Sequence, residues 1–557
     1  MISKMSWMDI MMSRHIKNVT QNNMEEKQYQ NEAMRWIFKR ESLGLSVSPD
    51  VEEEKQYYGG ILALEMGLGK TIVMLSTIMS NIKHPVENEK GGTLIIVPSS
   101  LIHQWFETIV RFVGIEPTMY YGSKKKKHNV KTLTGDNGYI VLTTYGTINK
   151  PWKPSNGIVP PRSILTKIKW GRVIYDEAHH LRVSKSNIHK NASLIQSDIN
   201  WLLTGTPINN CVSDLISLFE ILKMPRHILN NFYKPTNKYD IIKQHVLYNS
   251  KKNVGIKLHD TEVENIKVVV EDANERKLID DIHQLLIANH TIFQRRELNE
   301  STVNIVIQQL FRNSLYFELV VRARQSCIIP IKLKDTLDKN TTLLNNTNDT
   351  ISPNNDFKIM NQSKITAVVN KIKKNKRTGN KIIFCHYRYE IDTIYKTLKQ
   401  ECPNLVVQKV DGRTNKSNMK FALETVITND ELTDIFTNKK FPSKANIIPT
   451  LIEKFMIPDV LILQINTCCE GLNLQQFNEV YFTSPHWNPA VEDQAIARVH
   501  RIGQKKRVKV VRFITSSSNM TSKYTIDEYC DDVQRFKRDL MRKFITHPSK
   551  AIFNNDN

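Results

Sequence analysis

Apolar residues in this chain come in short uninterrupted runs, each ended by a turn signal or by polar residues. Thr93–Pro98 (TLIIVP), Tyr139–Thr144 (YIVLTT), Arg172–Glu177 (RVIYDE) and Trp201–Thr206 (WLLTGT) are β-rich and apolar nearly throughout. A strand with one wet face alternates apolar and polar residues, so these near-continuous runs predict strands covered on both faces of a parallel sheet. Helical stretches such as Thr71–Ile82 (TIVMLSTIMSNI) lie between them. That alternation predicts an α/β domain. The pattern restarts with Lys381–His386 (KIIFCH), Leu405–Val410 (LVVQKV), Val460–Ile465 (VLILQI), Glu479–Ser484 (EVYFTS) and Val508–Ile514 (VKVVRFI), which predict a second parallel sheet.

The spacing of these runs divides the chain. Residues 1–24 read as an N-terminal tail, 25–235 as a first lobe, and 236–336 as a mainly helical insertion and inter-lobe region. Residues 337–361 are rich in Asn, Thr and Asp, too polar to pack, and read as a flexible linker. Residues 362–535 read as a second lobe interrupted by a polar insertion at 415–458, and 536–557 as a C-terminal tail. No repeat of solenoid period is visible. The fold class expected is α/β, two parallel-sheet lobes with helical insertions between them.

Composition narrows the function. The 557 residues are 40% hydrophobic, enough for real cores and unlike a disordered chain. A formal net charge of +22 favours a polyanionic partner, without by itself specifying nucleic acid. The seven cysteines form no C-x-x-C pair, which argues against a zinc ribbon or RING module and for reduced thiols in an intracellular protein. Lys4, Asp9 and Arg14 interrupt the Met-rich start, so a signal peptide is not expected. No apolar run reaches the length of a membrane span, so no membrane partner is expected.

Three segments carry candidate chemistry. In Gly59–Thr71 (GGILALEMGLGKT) a buried strand runs into a glycine loop and then a helix. Glu65, Met66, Gly67, Leu68, Gly69, Lys70 and Thr71 would close around phosphates. Backbone N–H groups cradle them, Lys70 reaches the β- and γ-phosphates, and the Thr71 hydroxyl meets Mg²⁺. The alternative is an ordinary Gly-rich turn. Tyr175–His180 (YDEAHH) ends another buried strand. Asp176 is suited to hold Mg²⁺ and Glu177 to orient and deprotonate an attacking water. An acidic pair at a strand end is also a common solvated turn, and the phosphate loop upstream favours the catalytic reading. In Glu492–Gln504 (EDQAIARVHRIGQ), Arg498 and Arg501 stand three apart on one expected helix face, as a pair of arginine fingers would. A basic helix face is otherwise a solvated surface.

The ordered motifs resemble the Swi/Snf-type ATPases of helicase superfamily two. KQYQNEAMRWI (27–37), LIIVPSSLIHQW (94–105), VLTTYGT (141–147), LLTGTPINN (202–210), GLNL (471–474), HWNPAVEDQA (486–495) and RVHRIGQ (498–504) run in family order along almost the entire chain. The resemblance implies two RecA-like lobes with ATP and Mg²⁺ as cofactors. It implies that Gln30 contacts adenine, and that double-stranded DNA meets the Ser99, Thr143–Thr144 and Gly471–Asn473 regions together with Trp487. It further implies translocation on duplex DNA that displaces or remodels bound proteins, with nucleosomes or transcription proteins as partners, acting as a monomer in the nucleus. Lysine runs at 124–127, 373–377 and 505–507 extend an electrostatic track, or are solvated surface or a nuclear import signal. A strand-separating helicase and an uncoupled DNA-binding scaffold stay open. The chain departs from the family at Leu64 (usually Asp), at Cys468-Cys469 (usually Gly-Gly), at Ser484 (usually Asp) and in a degenerate basic strand, YNSKKN (248–253).

Overall fold

The computed structural model describes residues 7–21, 25–43, 58–87, 89–135, 138–150, 163–208, 213–232, 238–256, 258–288, 314–339, 358–376, 378–413, 458–465, 474–522 and 524–546. The chain divides into two compact units, Met1–Lys257 with Leu540–Asn557, and Leu258–Asp539.

The first unit is built on seven strands: β1 (Tyr58–Leu64), β2 (Lys90–Val97), β3 (Thr118–Met119), β4 (Ile140–Thr144), β5 (Lys169–Tyr175), β6 (Gln196–Leu203) and β7 (Val246–Asn249). They run in the order β3-β4-β2-β5-β6-β1-β7, and every pairing is parallel. Successive side chains alternate between two cores. Leu94, Ile96, Val173 and Tyr175 join one, while Ile95, Val97, Ile174 and Trp201 join the other. This is the two-faced burial that the uninterrupted apolar runs predict.

The second unit repeats the plan with β8 (Glu262–Val268), β9 (Lys381–Cys385), β10 (Val407–Val410), β11 (Val460–Gln464), β12 (Glu479–Phe482) and β13 (Lys509–Thr515). Their order is β10-β11-β9-β12-β13-β8, again all parallel. The expected class, two parallel α/β lobes, is the one observed.

Three differences follow from side-chain pattern. Residues 236–336 are not wholly insertion, because Val246–Asn249 extends the first sheet beside β1 and Glu262–Val268 edges the second beside β13. The first is only four residues long, and the second (EVENIKV) is half charged and largely exposed, as an edge strand is, so neither shows as an apolar run. Helices make up much of the rest of that stretch where it is described, Lys238–His245, Ala273–Ala288, Ser314–Ile328 and Pro330–Lys339. At the N-terminus, Trp7–Gln21 is a helix rather than a tail. Its Met11, Met12, His15 and Val19 are buried, and Arg14 donates to the Ser80 carbonyl at 3.0 Å. At the other end, the helix Ile526–Thr546 crosses the expected tail boundary at 536. Most of the linker 337–361 and nearly all of the insertion 415–458 lie outside the described residues.

A buried ion pair ties the first unit together. Arg172, in the middle of β5, donates from Nε at 2.8 Å and Nη2 at 2.6 Å to the two Glu41 oxygens, with both side chains fully buried. Glu41 also accepts from Trp201 Nε1 at 2.9 Å and Asn81 Nδ2 at 2.9 Å. Burial alone would raise the Glu41 carboxyl, but the Arg172 charge and these bonds hold it below its ordinary value. The helix Gln28–Leu43 is thereby fastened to the sheet at its far end. Glu41→Ala should cost about 3–5 kcal/mol, because it strands a buried guanidinium. Glu41→Ala with Arg172→Leu should cost less than the single change. Denaturant titration of the three proteins checks the order.

Candidate active site

Parallel pairing brings every strand's carboxyl end to one edge of the first sheet. Val97 pairs with Thr144, Ile96 with Tyr175, Tyr175 with Leu202, Leu62 with Leu203, and Leu64 with Asn249. Read across that edge, the loops carry Tyr145 after β4, Ser99 after β2, Asp176-Glu177 after β5, Thr204-Gly205-Thr206 after β6 and Glu65–Gly69 after β1. The acid pair sits in the middle.

The glycine loop has the conformation that its residues predict. Gly67 (φ 89°) and Gly69 (φ 84°) are left-handed, and the helix Lys70–Ser80 starts at once. A Cβ on Gly69 would stand 2.5 Å from Gln30 Nε2. Gln30 itself donates to the Leu68 carbonyl at 3.2 Å, so it borders the loop. Lys70 Nζ donates to the Leu64 carbonyl at 2.8 Å, folded back inside the loop. A Cβ on Gly205 would lie 3.3 Å from Met66 Cγ and 3.7 Å from Lys70 Nζ, so the TGT turn closes against the same loop. Thr71 is half-buried in the first helical turn. Glu65 points elsewhere: its carboxylate accepts from the Lys251 backbone N–H at 2.8 Å and pairs with Lys251 Nζ at 3.3 Å. Lys251 belongs to the degenerate basic stretch YNSKKN (248–253), whose sequence carries no sign of this contact.

Asp176 and Glu177 are both buried. Asp176 Oδ2 accepts from Trp105 Nε1 at 2.7 Å, Oδ1 accepts from the Glu177 N–H at 3.0 Å, and the Asp176 carbonyl accepts from Tyr145 Oη at 2.8 Å. Burial raises the Asp176 carboxyl above the ordinary range and the Glu177 charge adds to it, while the Trp105 bond and the Lys70 charge pull it back. Glu177 has φ 48° and ψ 52°, a left-handed conformation rare outside glycine. Its Oε2 lies 3.3 Å from His179 Nδ1. His179 stacks on His180 at 4.7 Å, and the His180 ring lies tilted against Tyr145 at 4.9 Å.

Other candidates fare unevenly. Ser99 is exposed. The hydroxyls of Thr143 and Thr144 have partners inside the fold. Thr143 Oγ1 donates to the Tyr120 carbonyl at 2.6 Å, and Thr144 Oγ1 caps the turn Tyr145–Ile148 by accepting from Thr147 N–H at 3.3 Å. Trp487 packs 5.7 Å from Tyr529, with Lys537 Nζ 5.7 Å over its ring, so its described contacts belong to a core rather than to a ligand surface. Arg498 and Arg501 do not share a helix face. The helix Pro489–Val499 ends before Arg501, where Gly503 (φ 96°) turns the chain and Gln504 Nε2 donates to the carbonyls of Gln475, Phe477 and Val499. The two arginines are still close. Burial, and then the Arg498 charge, lower the Arg501 guanidinium below its ordinary value. Gly471 and Asn473 lie outside the described residues.

An SNF2-related domain matches residues 29–327, and a helicase conserved C-terminal domain matches residues 450–503. This chain belongs to the SNF2-related family. The DNA repair protein RAD5 of Candida albicans is 26% identical over 626 residues, 84% of this chain and 55% of its own length. An uncharacterized ATP-dependent helicase of Mycoplasma genitalium is 26% identical over 529 residues, 94% of this chain and 42% of its own. The ATP-dependent helicase BRM of Arabidopsis thaliana is 26% identical over 499 residues, 84% of this chain and 20% of its own. The chain thus spans about half the length, or less, of such curated relatives. Among solved structures, a Sulfolobus solfataricus SWI2/SNF2 ATPase core in complex with dsDNA aligns with 20% identity and a TM-score of 0.35, over 94% of this chain and 93% of that one.

Within this SNF2-related chain the departures have local accounts. Leu64 is fully buried in the core and presents only its carbonyl to Lys70. Ser484 donates to Asp527 Oδ1 at 2.6 Å, and Asp527 pairs with the buried Lys364, so a carboxylate reaches this place from the helix Ile526–Thr546. The degenerate basic strand supplies Lys251 to Glu65. Cys468-Cys469 lies outside the described residues.

Two outcomes are expected. Glu177→Gln should bind ATP, measured with a fluorescent analogue, and hydrolyse it about 100-fold or more slowly, whereas Lys70→Ala should lose binding or turnover. Normal turnover in Glu177→Gln would remove Glu177 from the mechanism. Arg498→Ala and Arg501→Ala should each lower turnover by about two to three orders of magnitude at a nearly unchanged melting temperature; a large stability loss with a matching activity loss would make both arginines structural.

Proposed function

We propose that this chain is a DNA-stimulated ATPase motor that uses Mg²⁺ and ATP to move along double-stranded DNA. The observation that carries the reading is the order of loops on the first sheet's carboxyl edge. The phosphate loop with Lys70 lies on one side of Asp176-Glu177, and Ser99 and Tyr145 on the other. The donor set fits a nucleotide: two left-handed glycines, an ammonium folded inside the loop, and a buried carboxylate pair beside it.

Mg²⁺-ATP, when bound, supplies the phosphoanhydride and a divalent charge. Thr71 and Asp176 are the residues to hold the ion, and Gln30 borders the place for the base. Lys70 leaves the Leu64 carbonyl for the phosphates, which costs one hydrogen bond. Glu177 accepts the proton of the attacking water at a carboxylate oxygen, with His179 beside it. The transition state gathers negative charge, for which Lys70 supplies compensating positive charge, and Arg498 and Arg501 are the arginine-finger candidates. Ser99 and the backbone around residues 143–145 contact phosphates, which positions the duplex without reading its sequence.

The finer reading is remodelling. RAD5 is named for DNA repair and BRM as an ATP-dependent helicase. The HWNP element and the Asn-, Lys- and Ile-rich composition resemble the global transactivator of baculoviruses. We take the motor to work as a monomer in a nucleus, the host's if the chain is viral, displacing nucleosomes or transcription proteins from DNA.

The test pairs two assays. Triplex displacement from a duplex track should require ATP and Lys70, while unwinding of a forked duplex should be undetectable under the same conditions. Robust unwinding would make the protein a strand-separating helicase. Intact ATPase with neither activity would make it an uncoupled scaffold. Binding should also be steeply salt-dependent and nearly independent of sequence.

A further inference from the structure

β5 is the shared wall between two halves of one edge. β6 and β1, on one side, end in the turns that surround Lys70. β2 and β4, on the other, end in Ser99 and in Tyr145. Two side chains cross from the second half to the acid pair. Trp105 comes from the helix Ile102–Val113, which begins three residues after Ser99, and its indole N–H donates to Asp176 Oδ2 at 2.7 Å. Tyr145 opens the turn that Thr144 caps, and its hydroxyl donates to the Asp176 carbonyl at 2.8 Å. Each element thus has a direct hydrogen bond to Asp176. The two donors grip both the side chain and the main chain of one residue. The Tyr145 ring also packs, tilted, against His180, three residues beyond Glu177, so a third contact reaches the same turn.

Bulk alone does not explain the arrangement. A core needs apolar volume here, and phenylalanine at both positions would supply most of it. What tryptophan and tyrosine add is one N–H and one O–H, and both are directed at Asp176. Buried donors must be paired, and many acceptors would serve. These two converge on the residue that the ATPase reading assigns to Mg²⁺.

We propose that Trp105 and Tyr145 are positioning residues that transmit duplex contact at the Ser99 and Tyr145 loops to the Asp176-Glu177 pair, so that DNA stimulation of hydrolysis passes through their two hydrogen bonds. The proposal rests on the duplex-stimulated ATPase reading. Contact that shifts either loop re-sets the carboxylate position, and the coupling is reciprocal, so nucleotide occupancy shifts both loops in return.

The test uses the full chain with Trp105→Phe, Tyr145→Phe and a control, Phe112→Leu, which perturbs the same helix without touching Asp176. Steady-state ATPase is measured with and without saturating duplex, and duplex affinity by anisotropy. In Trp105→Phe and Tyr145→Phe the ratio of stimulated to unstimulated turnover should fall about tenfold, with ATP KM and duplex affinity within about twofold of wild type. Phe112→Leu should keep the wild-type ratio. Independently of activity, the Trp105 indole N–H resonance in ¹⁵N-tryptophan-labelled protein, assigned by its loss in Trp105→Phe, should shift when duplex is added without nucleotide or Mg²⁺. The proposal is overturned if Tyr145→Phe and Trp105→Phe keep the wild-type ratio. It is equally overturned if both rates fall by one factor, or if saturating duplex leaves the resonance unmoved. A wild-type protein that duplex does not stimulate sinks the ATPase reading itself, and the inference with it.

Discussion

The organisation of this molecule depends on parallel strand pairing. A strand that is hydrogen-bonded to parallel neighbours cannot turn straight back, so every crossover must pass over a face of the sheet, and all carboxyl ends gather on one edge. Seven strands in the first unit obey this, and their carboxyl-end loops hold Lys70, Asp176, Ser99 and Tyr145 in one row. The residues are far apart in sequence, yet strand order alone makes them neighbours. Both faces of the sheet must then be covered, which explains why its central strands are nearly all apolar and why two cores flank it.

Charge buried in such a sheet must be compensated, and the described residues show two solutions. Glu41–Arg172 and Lys364–Asp527 are closed networks in which the carboxylates meet several donors. They are too deep to meet a ligand and serve to register helices against the sheets. Asp176 is the contrasting case. Its carboxyl is held up by burial and by Glu177, with Trp105 and the Lys70 charge acting against that. Two adjacent buried carboxylates at the carboxyl edge of a sheet thus set this place apart from the closed networks.

The family departures show how local compensation works. Just before the HWNP element, Ser484 hydrogen-bonds to an acid that arrives from a distant helix, and Lys364 pairs with that acid. At the phosphate loop, Glu65 is held by Lys251 from a stretch whose basic pattern is weak. In both places a charged or polar group meets a partner from a stretch distant in sequence, which only the fold brings to it.

Local pattern and order determined a good deal by themselves. The apolar runs marked the central strands of both sheets, because two-faced burial leaves a continuous apolar signature. The glycine loop and the YDEAHH turn were legible because left-handed glycines and strand-end acids are local requirements. What only the tertiary structure decided depends on where side chains end up. Val246–Asn249 and Glu262–Val268 were hidden, being respectively short and half charged, and their places in the sheets come from neighbours distant in sequence. The Met-rich start looked like a tail because its apolar stripe has meaning only against the helix it covers. Thr143, Thr144 and Trp487 carry chemistry suited to a ligand, and only the fold shows that the two hydroxyls also have internal partners and that the ring packs against Tyr529. Arg501 left the helix because a glycine and a glutamine beyond it stop that helix early. Sequence spacing specifies a periodicity, whereas the direction a side chain faces depends on which long-range partner takes its polar atoms, and that is a property of the folded whole.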